Sequence, residues 1–112
     1  MKKFMAVFLG TPKKMQEWKP DEATMKQGME AWMKWATDHK ANIVDDGSPL
    51  GKTKKISKSG IEDIRNEMGA WTLVQAESQE EAAKMFENHP HFTIFPGDRV
   101  EVMECLPMPT MK

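Results

Sequence analysis

A single cysteine, Cys105, stands in this chain of 112 residues, so no internal disulfide can form. A lone thiol fits a reducing compartment, and the cytoplasm is the expected location. Near a strand end Cys105 reads as a small core filler, because a nucleophile would need a basic neighbour that the sequence does not place. Charge of one sign is also missing. Sixteen basic residues against seventeen acidic ones leave a formal charge of −1, which argues against nucleic acid as a partner. No apolar run approaches the roughly 20 residues that span a bilayer, so no membrane role is expected. Met1-Lys2-Lys3 is basic, yet Phe4 to Leu9 is too short for a signal segment and no small-residue cleavage site follows. No nucleophile elbow, phosphate-binding glycine loop or haem motif occurs, which disfavours acyl, nucleotide and redox-cofactor chemistry. No cofactor is called for. Repeats and low-complexity tracts are lacking too, and residues 1–112 read as one domain.

What is present alternates between two periodicities. Lys3 to Gly10 reads as a strand, Phe4, Ala6 and Phe8 on one face and Met5, Val7 and Leu9 on the other. Two apolar faces mean two covers. Helices can supply one, and a second subunit is the simplest source of the other. Thr11 to Pro20 is a polar connection. A helix from about Asp21 to His39 follows, with a core stripe of Met25, Met29, Trp32 and Ala36 widened by Met33 and Trp35. Gly28 inside it costs about 1 kcal/mol relative to Ala, so it marks close packing.

Ala41 to Asp45 reads as a short strand and Asp46-Gly47-Ser48-Pro49 as a turn. Leu50 to Ser59, rich in lysine, reads as an exposed edge strand or hairpin arm. Ile61 to Gly69 reads as irregular and Ala70 to Glu77 as a strand. Ser78-Gln79-Glu80-Glu81 is a capping box, and its helix carries Ala82, Met85, Phe86 and His89 on one stripe before Pro90 stops it. Thr93 to Asp98 turns through Pro96-Gly97, and Arg99 to Leu106 is the last strand. The order suits an α+β, ferredoxin-like split βαβ arrangement with an antiparallel sheet and both helices on one face.

Gly28-Met29-Glu30-Ala31-Trp32-Met33-Lys34-Trp35, Asp45-Asp46-Gly47-Ser48-Pro49-Leu50-Gly51-Lys52, Ala76-Glu77-Ser78, His89-Pro90-His91 and Val100-Glu101-Val102 together resemble the YCII-related (DGPF-type) domain family. The DGPF signature itself has no clear copy. The resemblance implies a ferredoxin-like subunit that pairs into a dimeric α/β barrel, and a bacterial-type protein whose relatives mostly lack an assigned activity. In the YCII-type branch a His–Asp pair in a cleft is the suggested catalytic site, the Asp lying in an Asp-Pro at the end of the second helix. Here His89 precedes Pro90 in that place. The family's histidine on the first helix has Glu30 as its nearest polar counterpart, so the implied dyad is inverted to a carboxylate and a histidine.

Candidate residues follow. Pro90 should hold His89 and His91 in an extended segment, where side chains two apart point the same way. They cap helix carbonyls, exchange protons near neutrality or bind a ligand. Two histidines supply half a tetrahedral zinc shell with no third ligand nearby in sequence, so no metal is expected. Trp32 and Trp35 are core residues or an aromatic ligand wall, about 60° apart around the helix. Asp45 and Asp46 organise a turn, or one is an inward carboxylate partnering a histidine. Arg65 is a solvated loop residue or the holder of a ligand carboxylate. The eleven methionines, Met108 and Met111 among them, suit irregular packing and adaptable interfaces.

The leading expectation is a homodimer with a small-molecule pocket between helices and sheet. Trp32 and Trp35 would line it, and His89, His91, Glu30 and one of Asp45 or Asp46 would supply proton transfer for hydrolysis, isomerisation or elimination. The alternative is a non-catalytic ligand-binding or protein-interaction module with structural histidines.

Overall fold

The computed structural model describes residues 1–109, so Met111 lies outside them. Four strands form an antiparallel sheet: β1 (Lys2–Leu9), β2 (Ile43–Pro49), β5 (Met68–Ala76) and β6 (Arg99–Glu104), in the order β2-β5-β1-β6. Strands β3 (Thr53–Ser57) and β4 (Gly60–Ile64) form a separate hairpin inserted between β2 and β5. The helices are α1 (Pro12–Glu17), α2 (Glu22–Asp38), α3 (Gln79–Lys84) and α4 (Pro90–Thr93). Sheet order and antiparallel pairing are those of a ferredoxin-like α+β fold. No helix among the described residues is long and apolar enough to cross a membrane.

Alternation in β1 builds the core. Phe4, Ala6 and Phe8 are fully buried against Trp35 of α2, Ala82 of α3 and the Met85–Phe86 turn, so α2 and α3 cover the same face. The Ser78 hydroxyl accepts from the Glu81 amide at 3.1 Å and starts α3. Asp21 does the same for α2, accepting from the Thr24 amide at 2.7 Å, and the Thr24 side chain first and that amide second hold its carboxyl below the usual range. The other face of β1 is less covered. Met5 and Val7 stay half-buried, in register with Leu73 and Trp71, while Met103 beside Met5 is exposed.

Several expectations are corrected. The Thr11–Pro20 connection contains α1, begun by Pro12 at its first turn and tied down where the Thr11 amide and hydroxyl donate to Asp98 at 3.1 and 2.9 Å. Asp46-Gly47 makes a bulge inside β2 rather than a turn. Gly47 adopts φ 72° and lies so close to the Trp71 carbonyl that any Cβ would collide with it. Residues 61–64 form β4 because Ile61 pairs with Ile56 across the two-residue Lys58-Ser59 turn. The stripe of α2 is rotated: Met25 and Met29 are exposed, while Gly28 and Trp35 are buried. Gly28 faces Phe95, whose ring a Cβ would approach at 2.6 Å, so close packing does explain that glycine. Helix α3 ends at Lys84 rather than His89, since Asn88 takes φ 58° and turns the chain before Pro90. Cys105 is exposed rather than core, lying just beyond the end of β6.

Candidate functional site

The buried stripe Ala82, Met85, Phe86, His89 reaches the site from α3. Asn88 then redirects the chain, so His89 is extended (φ −63°, ψ 143°) and caps α4 with its own side chain. The His89 Nδ1 accepts from the His91 amide at 3.0 Å. That bond leaves the proton on Nε2, a buried nitrogen without a hydrogen-bond partner. Its surroundings are aromatic. The Trp32 and Trp35 rings stand 4.5 and 4.6 Å from the imidazole, at 86° and 69° to it, in edge-to-face packing. Burial first, and then the neighbouring His91 and His39, push the His89 imidazole down to about 3. At neutral pH His89 is a neutral cap.

His91 differs. Its Nε2 lies 2.8 Å from the Leu9 carbonyl, which can only accept, so Nε2 donates and the neutral ring keeps its lone pair on Nδ1. The Leu9 carbonyl also takes the Asp98 amide at 3.0 Å, and the His91 carbonyl takes the Gly97 amide at 2.9 Å. Gly97 is needed here, because a Cβ on it would strike the His91 ring. Burial holds this imidazole below its ordinary value, against the opposing pull of the Leu9 and Arg99 carbonyls and of Asp98. His91 is therefore an oriented, neutral base rather than a cation.

Two hollows meet at His91, sharing Met15 and Gly69 as further common walls. The first, about 390 Å³, lies between α2 and the sheet and is lined by Phe8, Met29, Trp32, Met33, Phe95 and the Asp46–Pro49 stretch of β2. The second, about 450 Å³, lies at the root of the hairpin and is lined by Gln16, Leu50 to Thr53 and Arg65 to Met68. Such volumes suit small organic ligands, and a mostly apolar wall with few polar groups is the usual lining.

The structure thus brings Trp32, Asp46 and His91 to the first hollow and Arg65 and His91 to the second. The extended His89–His91 segment is not formed, since His91 belongs to α4. His89 and Trp35 stand behind the wall; the Trp35 indole donates to the Met85 carbonyl at 2.6 Å and closes the end of α3. Glu30 is exposed and lines neither hollow. Asp45 pairs with Leu73 on the sheet face away from the helices, and its carboxylate accepts from the Gly47 amide at 2.8 Å. Met15, Phe8 and Phe95 line the first hollow unforeseen. Pro12, a first-turn signal inside the polar connection, is the one feature that pointed to the helix carrying Met15.

No family model matches the chain, and no curated protein matches it. The structure is similar to that of 5-chloro-2-hydroxyhydroquinone dehydrochlorinase from Burkholderia phenoliruptrix AC1100, solved with 2,5-dihydroxybenzoquinone, at a TM-score of 0.55 and 20% identity over 89% of each chain. That neighbour is a YCII-like protein. The likeness shows a shared α+β fold, reached along nearly the whole length of both chains.

Proposed function

We propose that the chain binds a small, flat organic molecule against Trp32 and Phe95 and moves a proton on it through His91. The observation that carries this reading is the position of His91: one imidazole, neutral and fixed through Nε2 by the Leu9 carbonyl, forms part of the wall of both hollows. A ring whose tautomer is set by the Leu9 carbonyl and which burial keeps neutral holds an unprotonated Nδ1 as its base. The acid/base role expected of His89 passes to His91, because His89 is a cap whose Nδ1 is already engaged. Asp46 is at the wall, where its carbonyl accepts from the Thr72 hydroxyl at 3.0 Å, and it positions the β2 side of the site. The blocks that resemble the YCII-related family, and a neighbour that handles a hydroxylated quinone ring, support a flat oxygenated substrate and chemistry of the elimination or isomerisation kind.

A second copy of the chain completes the assembly in this proposal. The molecule is only 18 Å across in its thinnest direction, room for one sheet and one helical layer. Met5, Val7, Leu73 and Met103 lie on the face that the helices leave. The lone cysteine supports a reducing, cytoplasmic setting.

The test uses 2,5-dihydroxybenzoquinone in deuterium oxide, with incorporation at its ring C–H positions followed by proton NMR. The intact chain is expected to speed exchange at least 100-fold over buffer, His91→Gln to abolish that gain, and His89→Phe to retain most of it. No acceleration, or acceleration untouched in His91→Gln, overturns the proposal. The non-catalytic reading gains only if the molecule binds and never exchanges.

A further inference from the structure

The hollow at the root of the hairpin has a charge pattern that the aromatic one lacks. Lys52 and Arg65 both line it, and neither is in an ion pair among the described residues. Arg65 Nη1 donates only to the neutral Gln16 amide oxygen, at 3.2 Å. The neighbouring cations are occupied: Lys54 pairs with Asp63 at 2.7 Å, Lys55 with Glu62, and Lys14 with Asp98 at 3.0 Å. Glu67 is the acid on this wall, and Arg99 takes it at 2.8 Å. Arg99 also holds Glu101 at 2.7 Å and so offsets Glu67 only in part, yet Lys52 and Arg65 outnumber that one carboxylate and leave the lining net positive.

We infer that this hollow is an anion subsite, and that the ligand is a flat apolar body bearing a carboxylate or an equally acidic oxygen. The inference rests on the ligand pocket proposed above. The apolar body lies by Trp32 and Phe95, the acidic group projects past His91 and Met15, and Arg65 and Lys52 receive it. Asn66 and Thr53, 3.5 Å apart on the same wall, add polar partners. Arginine suits this role because its planar fork matches two carboxylate oxygens. Both cations are exposed, so the gain is moderate and falls with salt.

The experiment compares 2-naphthylacetate with its neutral primary amide, by calorimetric titration of the intact chain at low ionic strength. The acid is expected to bind about tenfold more tightly than the amide, a preference that shrinks in 0.5 M salt. In a Lys52→Gln, Arg65→Gln double variant the preference should fall to within about twofold while the amide keeps its affinity. Both substitutions lie on exposed side chains, and circular dichroism checks the fold. Equal binding of acid and amide by the unaltered chain overturns the subsite while leaving the aromatic pocket standing. A preference that survives in the double variant also overturns it. Binding of neither molecule removes the pocket and the subsite together.

Discussion

Lowering the pH should destabilise this protein through its two buried imidazoles, and the size of the His89 share follows from the burial of that ring. The folded chain resists protonating it until about pH 3, whereas the unfolded chain binds a proton near 6.5. The unfolded state thus holds more protons between those values, and stability falls as pH drops through that window. One pKa unit corresponds to about 1.4 kcal/mol, so His89 alone should cost about 2 kcal/mol between pH 7.5 and pH 5. The cost reaches about 4 kcal/mol at pH 3, where the folded ring is half protonated, and levels off at about 5 kcal/mol below it, of the order of the whole stability of a small domain. The ring is 1% exposed, so solvent screening removes little of this. Urea unfolding at the two pH values measures it, in the unaltered chain and in two variants that cannot titrate. His89→Phe keeps the ring volume but loses the cap to the His91 amide. His89→Asn keeps an acceptor for that amide but leaves space among the rings. Each variant has its own cost at pH 7.5, yet both should lose about 2 kcal/mol less than the unaltered chain on acidification. Parallel losses in all three proteins would refute the reasoning, because His89 would then not be a neutral buried group.

Three further outcomes are expected. Trp35→Phe keeps the apolar contact with Phe86 but orphans the Met85 carbonyl, and chemical denaturation should show a loss of about 1–3 kcal/mol. Gly97→Ala forces a methyl into the His91 ring and should cost about 1–3 kcal/mol while weakening quinone binding; an unchanged melting point would contradict the fit of glycine to imidazole. Sedimentation equilibrium should give about twice the 12.8 kDa chain mass, and Met5→Lys with Leu73→Lys should return the monomer. A monomeric unaltered chain would remove the case for a second copy.

Elements whose pattern is carried within a few neighbouring residues were legible in the sequence. Alternation in Phe4-Met5-Ala6-Val7-Phe8 marks β1, the Ser78 cap marks α3, and Gly28 inside α2 announces a close neighbour. Features set by distant partners were not. Met25 and Met29 fit a core stripe on spacing alone, but Phe95 packs onto Gly28 and turns that side of α2 outward. Asp46-Gly47 carries a turn signal, and the same positive φ serves equally for a bulge once β5 pairs alongside. Among the site residues, the spacing of His89 and His91 suggested a matched pair. The start of α4 at Pro90 separates their fates: His89 stays extended as its cap in the aromatic core, while His91 turns with the helix to the wall of the hollows.

A nitrogen and proton NMR titration with 2,5-dihydroxybenzoquinone most directly tests whether His91 and Trp32 border a ligand site. The Trp32 indole, the Gly69 amide and the His91 imidazole should shift together and saturate with one binding constant, while the Trp35 indole, held on the Met85 carbonyl, stays in place. Saturable shifts centred on Trp35 and α3, or none at millimolar concentration, would contradict it.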